Sequence, residues 1–164
     1  MITSAAGRAF IESFEGMILG AYDDANDHIL KAGQHCAGTL TIGYGHTNAA
    51  GPPTVAIGME ITAEQADAIL AADLAGVEKQ VRNLVHVPLN QNQFDALVSF
   101  QFNTGWLGHR HCSLLAALNA GNYTLADNDF LLYDRARGVK LSGLTRRRHA
   151  EMDLFNTVRY RPVT

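Results

Sequence analysis

Only two cysteines occur in the 164 residues, Cys36 and Cys112, and they stand far apart, without the close spacing that a zinc site or a redox motif needs. Two free thiols are the simpler reading, and a single disulfide also fits. No apolar run is long enough to span a bilayer, and the opening residues, MITSAAGRAFIESFEG, lack the basic-then-apolar order of a secretory signal. The chain is therefore expected to be cytosolic where it is made. No repeat, low-complexity tract or linker interrupts it, and no disorder signature appears. No stretch interleaves basic and aromatic residues and the net charge is −3, which ranks nucleic-acid binding last.

What is present is a core. With 47% hydrophobic residues the chain can fill one compact domain, or two small lobes sharing a helix. The net charge hides an asymmetry: residues 1–100 hold 4 basic and 11 acidic side chains, residues 101–164 hold 9 and 5. A basic second half suits an anionic polymer such as a bacterial envelope, or is an ordinary solvated surface.

Thr3 or Ser4 can cap a first helix whose apolar face carries Phe10, Ile11 and Phe14, with Gly16 as its stop and Glu15 in its last turn. From Ala21 to about Gly45, Tyr22, Ile29-Leu30 and Thr39 to Tyr44 read as strands of a small antiparallel sheet. After Gly51-Pro52-Pro53, Thr62 with Gln65 forms a capping box. Ala66, Ile69, Leu70, Leu74, Val77, Val81 and Leu84 then continue one helical stripe, roughly 35 Å long, that Pro88 closes. Beyond it the spacing predicts short helices, starting at Asn90 with Gln93, at Ser113, at Thr124 with Asp127, and at about Leu144. Gly138 and Gly143 bracket a loop. Arg146, Arg147 and Arg148 read as a solvated face with one member paired to Glu151.

Glu15 and Asp24 are the candidate chemistry. A glycosidase needs one carboxyl kept protonated for the leaving oxygen and one ionised carboxylate to manage water or the charge on the sugar. A carboxyl at the negative end of a helix should have a raised pKa, which suits Glu15 to the first role and leaves Asp24 the second. His28, His35 and His46 lack the tight spacing of a metal site.

Glu15-Gly16, Tyr22, Asp24 and Thr41-Ile42-Gly43-Tyr44-Gly45-His46 together resemble the phage-type lysozymes, glycoside hydrolase family 24. The likeness continues through Gln93 to Phe100, Phe102-Asn103-Thr104-Gly105, Ser113-Leu114-Leu115, Leu118 to Gly121, Gly143-Leu144, Arg146 to Arg148 and Glu151, so it covers nearly the whole chain. It implies an α+β fold in one domain, 1–164: a small antiparallel sheet lobe at about 15–60, a connecting helix at about 62–85, and a helical lobe at about 88–164 that includes the N-terminal helix. The glycan would lie in a cleft between the lobes. It also implies hydrolysis of the β-1,4 bond between N-acetylmuramic acid and N-acetylglucosamine in peptidoglycan. Glu15, Asp24 and Thr41 would be catalytic; Gly43, Tyr44, Asn103 and Gly105 would bind substrate; His46 and Asp73 would form a structural ion pair that raises the histidine's pKa and depresses the aspartate's. No cofactor or metal is called for. A monomer released by a separate holin, held in the host cytoplasm before lysis and acting on the wall in the periplasm, follows from the same resemblance. Residues 25–38 exceed the family's shorter hairpin and bear on where Thr41 sits. A lytic transglycosylase and an inactive peptidoglycan-binding module are the alternatives.

Overall fold

The computed structural model describes residues 1–157; residues 158–164, the end of the expected helical lobe, lie outside the described residues. Two compact units divide the chain, residues 9–76 and residues 1–8 with 77 onward. The expected lobes therefore share their helices differently, because the first turns of the long helix belong with the sheet.

The first unit is built on a four-stranded antiparallel sheet. Its strands are β1 (Ile18–Asp23), β2 (His28–Ile29), β3 (Leu40–Gly43) and β4 (His46–Thr47), in the order β2-β1-β3-β4. Alternation along β1 and β3 sends Ala21 and Ile42 inward, where they meet Val55 and the partly buried Leu40, Met59 and Ile61. The 25–38 segment adds the edge strand β2 and then a loop; Asp27, at φ 56°, makes the turn between β1 and β2.

Helix α1 (Ala5–Glu12) is capped by Ser4, whose Oγ accepts the Gly7 N–H at 3.0 Å. It ends three residues before Glu15. Ser13 Oγ donates to the Phe10 carbonyl at 2.6 Å, and Phe14 and Glu15 close tighter turns onto Ile11 and Glu12. Gly16 is not in the left-handed region, so a side chain rather than a glycine stops the helix.

Helix α2 (Ala63–Leu84), about 33 Å long, opens on the expected capping box: the Thr62 N–H meets Gln65 Oε1 at 2.8 Å and the Gln65 N–H meets Thr62 Oγ1 at 3.2 Å. Ala66, Leu70, Leu74 and Val81 are its buried stripe. Glu78 falls on that stripe too and is held by the Thr3 N–H at 2.8 Å.

The second unit holds α3 (Gln91–Thr104), α4 (Ser113–Asn119), α5 (Tyr123–Asp129), a 3-10 turn (Phe130–Tyr133), a hairpin of β5 (Arg135–Ala136) and β6 (Val139–Lys140), and α6 (Ser142–Asn156). Phe94, Leu97, Phe100, Leu114, Leu118 and Phe130 are fully buried in it, with Phe100 edge-on to Phe130. Asn90 and Gln93 form the capping box of α3, but α5 is capped by Asn122 rather than by Thr124. The hairpin replaces the loop expected around Gly138. Arg137 at φ 50° and Gly138 at φ 79° form its two-residue turn, a geometry whose usual signal is Asn-Gly, and arginine in the first place hides it.

Two of the three consecutive arginines depart from the solvated-face reading, since Arg147 and Arg148 are buried and only Arg146 is exposed. Glu151 Oε1 accepts from Ser99 Oγ at 2.7 Å, Arg148 Nη2 at 3.0 Å and Arg147 Nε at 3.2 Å. Arg148 Nε lies 2.8 Å from Glu151 Oε2, an ionic contact without hydrogen-bond alignment. Four- and three-residue steps on α6 bring Arg147 and Arg148 to Glu151, and the burial comes from packing against α3.

Candidate active site

Asp24 and Thr41 meet at one backbone residue. Tyr22 on β1 pairs with Thr41 on β3, so Asp24, just past the end of β1, comes alongside Thr39. The Asp24 N–H donates to the Thr39 carbonyl at 3.1 Å, and the Thr39 N–H donates to Asp24 Oδ1 at 2.6 Å. Thr41 Oγ1 donates to that same carbonyl at 3.0 Å. Having given up its proton, the Thr41 oxygen can only accept from a further partner, and Asp24 keeps Oδ2 for the same purpose.

Glu15 is half-buried on the turns after α1. Its electrostatic neighbour is Tyr22, whose phenol is pushed up in pKa first by burial and then by the carboxylates of Asp27, Asp24 and Glu15. The charges of Glu15 and Asp24 thus both act on one buried phenol. The same turn brings in Asp27, which carries no signal of its own in the sequence.

Asp23 is the larger omission. Its carboxylate is buried while that of Asp24 is exposed. Oδ1 accepts the N–H groups of Ala25 at 3.0 Å and Gly38 at 2.9 Å, and Oδ2 that of Ala37 at 2.7 Å. The amides of Ala37 and Ala25 hold its pKa below the usual carboxylate value against the effect of burial. Nothing in an Asp-Asp pair says which member turns inward; pairing with residues on β3 decides it.

Gly43 is buried, and a Cβ there would lie 3.5 Å from Ile61 Cδ1 and 3.6 Å from Ala66 Cβ. Its φ of 65° opens the turn in which Tyr44 is half-buried. Burial, then Glu12 and Asp67, raise the Tyr44 pKa. His46 begins β4 and is buried, with Nδ1 3.0 Å from both oxygens of Asp73 and Nε2 2.9 Å from the Pro53 carbonyl. The carbonyl can only accept, so Nε2 carries a proton. The Asp73 pKa is raised, not depressed: burial outweighs the pull of His46.

A family model for phage lysozyme matches residues 12–151. The endolysin of Salmonella phage P22 is 40% identical over 155 residues, covering 94% of this chain and 98% of that one. The endolysin of Acyrthosiphon pisum secondary endosymbiont phage 1 is 37% identical over 161 residues, 96% of this chain and 99% of its own. The chain belongs to the phage lysozyme family. Among solved structures, a P22 lysozyme point mutant superposes with a TM-score of 0.80 at 38% identity, covering 96% of this chain and 99% of that one. The muramidase domain of SpmX from Asticaccaulis excentricus gives 0.78 at 38% identity, covering 94% and 97%. The α+β lysozyme class is thus the fold, and family membership makes the protein a peptidoglycan-lytic enzyme.

The other residues named from this phage lysozyme's sequence lie in its second unit. Asn103 is exposed on α3, its Oδ1 accepting from Arg148 Nη2 at 2.9 Å, which turns the amide nitrogen outward. Gly105 caps α3 in the left-handed conformation, at φ 63°. Asn103 lines a recess of about 580 Å³ together with Trp106, Tyr133 and Arg135. Trp106, the sole tryptophan, stacks on His109 with ring centroids 3.9 Å apart and is 40% exposed. A lone tryptophan outside a periodic pattern carries no sequence signal that would mark it for this place. His28 and His35 are exposed, and among the described residues no three His, Cys, Asp or Glu side chains gather as a metal site. Both cysteines are free thiols, which decides between the two readings of the sequence. No described helix is long and apolar enough to cross a membrane.

Proposed function

We propose that this phage lysozyme hydrolyses the β-1,4 bond between N-acetylmuramic acid and N-acetylglucosamine. Glu15 protonates the leaving oxygen as the glycosidic bond breaks. A water molecule, held by Asp24 Oδ2 and Thr41 Oγ1, attacks the anomeric carbon from the opposite face and gives its proton to Asp24, so the configuration inverts. The observation that supports this reading is the anchoring of Asp24 and Thr41 on one backbone residue, Thr39, which leaves an acceptor on each side chain for water. Glycan contacts are assigned to Tyr44 beside Gly43 and to Asn103 and Gly105, with Trp106 as an apolar platform for a sugar face. The enzyme works as a monomer without cofactor. It stays in the host cytoplasm until a holin admits it to the wall.

Mass spectrometry of digested peptidoglycan, run for the native protein and for Glu15→Gln, tests the proposal. The native digest should carry reducing sugar ends, and the amide variant, unable to donate a proton, should lose nearly all turnover with its fold intact. Anhydro-muramic ends would make the enzyme a lytic transglycosylase. A Glu15→Gln variant that keeps more than about a tenth of the turnover would remove Glu15 from the mechanism.

A further inference from the structure

Residues 25–38 separate β1, which Asp24 follows, from β3, which carries Thr41, and a segment of that length is free to move the second relative to the first. Its two ends are instead gathered onto a single carboxylate. Asp23 accepts from Ala25 where the insert leaves and from Ala37 and Gly38 where it returns. The next residue, Thr39, is the one whose N–H holds Asp24 and whose carbonyl holds both Asp24 and Thr41. Gly38 fits this neck for want of space: a Cβ there would run into Asp24 Oδ1 and lie 2.7 Å from Asp23 Oδ1, although Gly38 is not among the left-handed glycines.

We propose that Asp23 is a positioning residue: with Gly38 it clamps the neck of the insert and so fixes Thr39, which sets Asp24 and Thr41 in the geometry that directs the attacking water. The inference rests on the catalytic reading of Asp24 given above and extends it to a group that touches neither water nor sugar. Three backbone amides hold the Asp23 pKa below the usual carboxylate value, so the carboxylate stays an acceptor at a lower pH than a solvated one does. Asparagine in its place keeps the shape but turns an NH2 toward an amide N–H, which opens one side of the neck.

The test compares Asp23→Asn, Gly38→Ala, Asp24→Asn and the double variant Asp23→Asn/Asp24→Asn on soluble peptidoglycan strands, with the folded fraction taken from circular dichroism. For Asp23→Asn and Gly38→Ala, kcat per folded molecule should fall about tenfold or more while KM stays within about twofold, because a shift of about 1 Å in a reacting group is enough for such a loss. The double variant should fall well short of the product of the two single losses, since with Asp24 disabled Asp23 acts only through Thr41. A kcat per folded molecule that is unchanged in Asp23→Asn or Gly38→Ala, or a double variant whose losses multiply, would make the neck merely structural and overturn the proposal. If instead Asp24→Asn keeps native turnover, the catalytic reading itself falls and takes the clamp with it.

Discussion

Glu151→Gln should be the most damaging single change in the helical unit. Glu151 is fully buried between Arg147 and Arg148, and its carboxylate takes three hydrogen bonds and one ionic contact. An amide of the same size keeps one acceptor and leaves the fully buried Arg148 guanidinium facing a neutral group in place of its carboxylate. Breaking a buried pair from one side costs about 3 to 5 kcal/mol. For a chain of this length each kcal/mol lowers Tm by about 2 to 4 °C, so calorimetry should show a fall of roughly 6 to 20 °C. Burial holds the Glu151 pKa above the usual carboxylate value against the pull of Arg148, Ser99 and Arg147, and the size of the loss reports how much of the carboxyl is ionised in the fold. A fall of less than about 2 °C would mean that Glu151 is already neutral in the fold and would refute the argument. The double variant Arg148→Met/Glu151→Leu removes both charges together and should cost clearly less than the two single changes added, because no charge of that pair is left buried alone. Arg148→Met alone also releases Asn103 Oδ1, so KM for glycan should rise while kcat is kept.

Thr41→Glu should place a carboxylate where the water is held, trapping a covalent glycosyl adduct or turning inversion into retention; intact mass without an adduct, and product still inverted, would mean that Thr41 does not face the anomeric carbon. The sole tryptophan makes the recess beside Asn103 directly readable: muropeptides should shift Trp106 emission in a Glu15→Gln background, and Trp106→Ala should raise KM severalfold, whereas unaltered emission at saturation would exclude a sugar there. For His46 and Asp73 the sign is set by burial. An acid whose folded pKa is raised adds stability that is complete below its unfolded value of 3.8 and is lost as pH rises through the folded one. Urea melts should therefore show Asp73→Asn costing more at about pH 4 than at about pH 7, and the opposite trend would show that the attraction of His46 outweighs burial.

Local chemistry makes much of the chain legible from its residues alone. The capping boxes at Thr62 and Asn90, the stripe along α2 and the β-branched run into Gly43 are decided by residues within a turn or two of one another, and the structure keeps them. The motif from Glu15 to His46 points to the fold class and the peptidoglycan-lytic family for a related reason: the spacing of those residues is set by one short helix end and two paired strands.

Burial is not legible in this way, because it is a property of what comes from elsewhere in the chain. Asp23 and Asp24 are identical neighbours until the two ends of the 25–38 segment supply three amides to one and leave the other in water. Arg146, Arg147 and Arg148 read alike until α3 covers two of them. The opposite charge of His46 argues for a depressed Asp73, and the loss of solvent around the pair reverses the sign. The sequence alone determined which side chains could do acid, base and water-holding chemistry. Tertiary structure alone decided which carboxylate faces solvent and which holds the backbone, since desolvation and amide hydrogen bonds act over distances in space that a one-dimensional spacing does not contain.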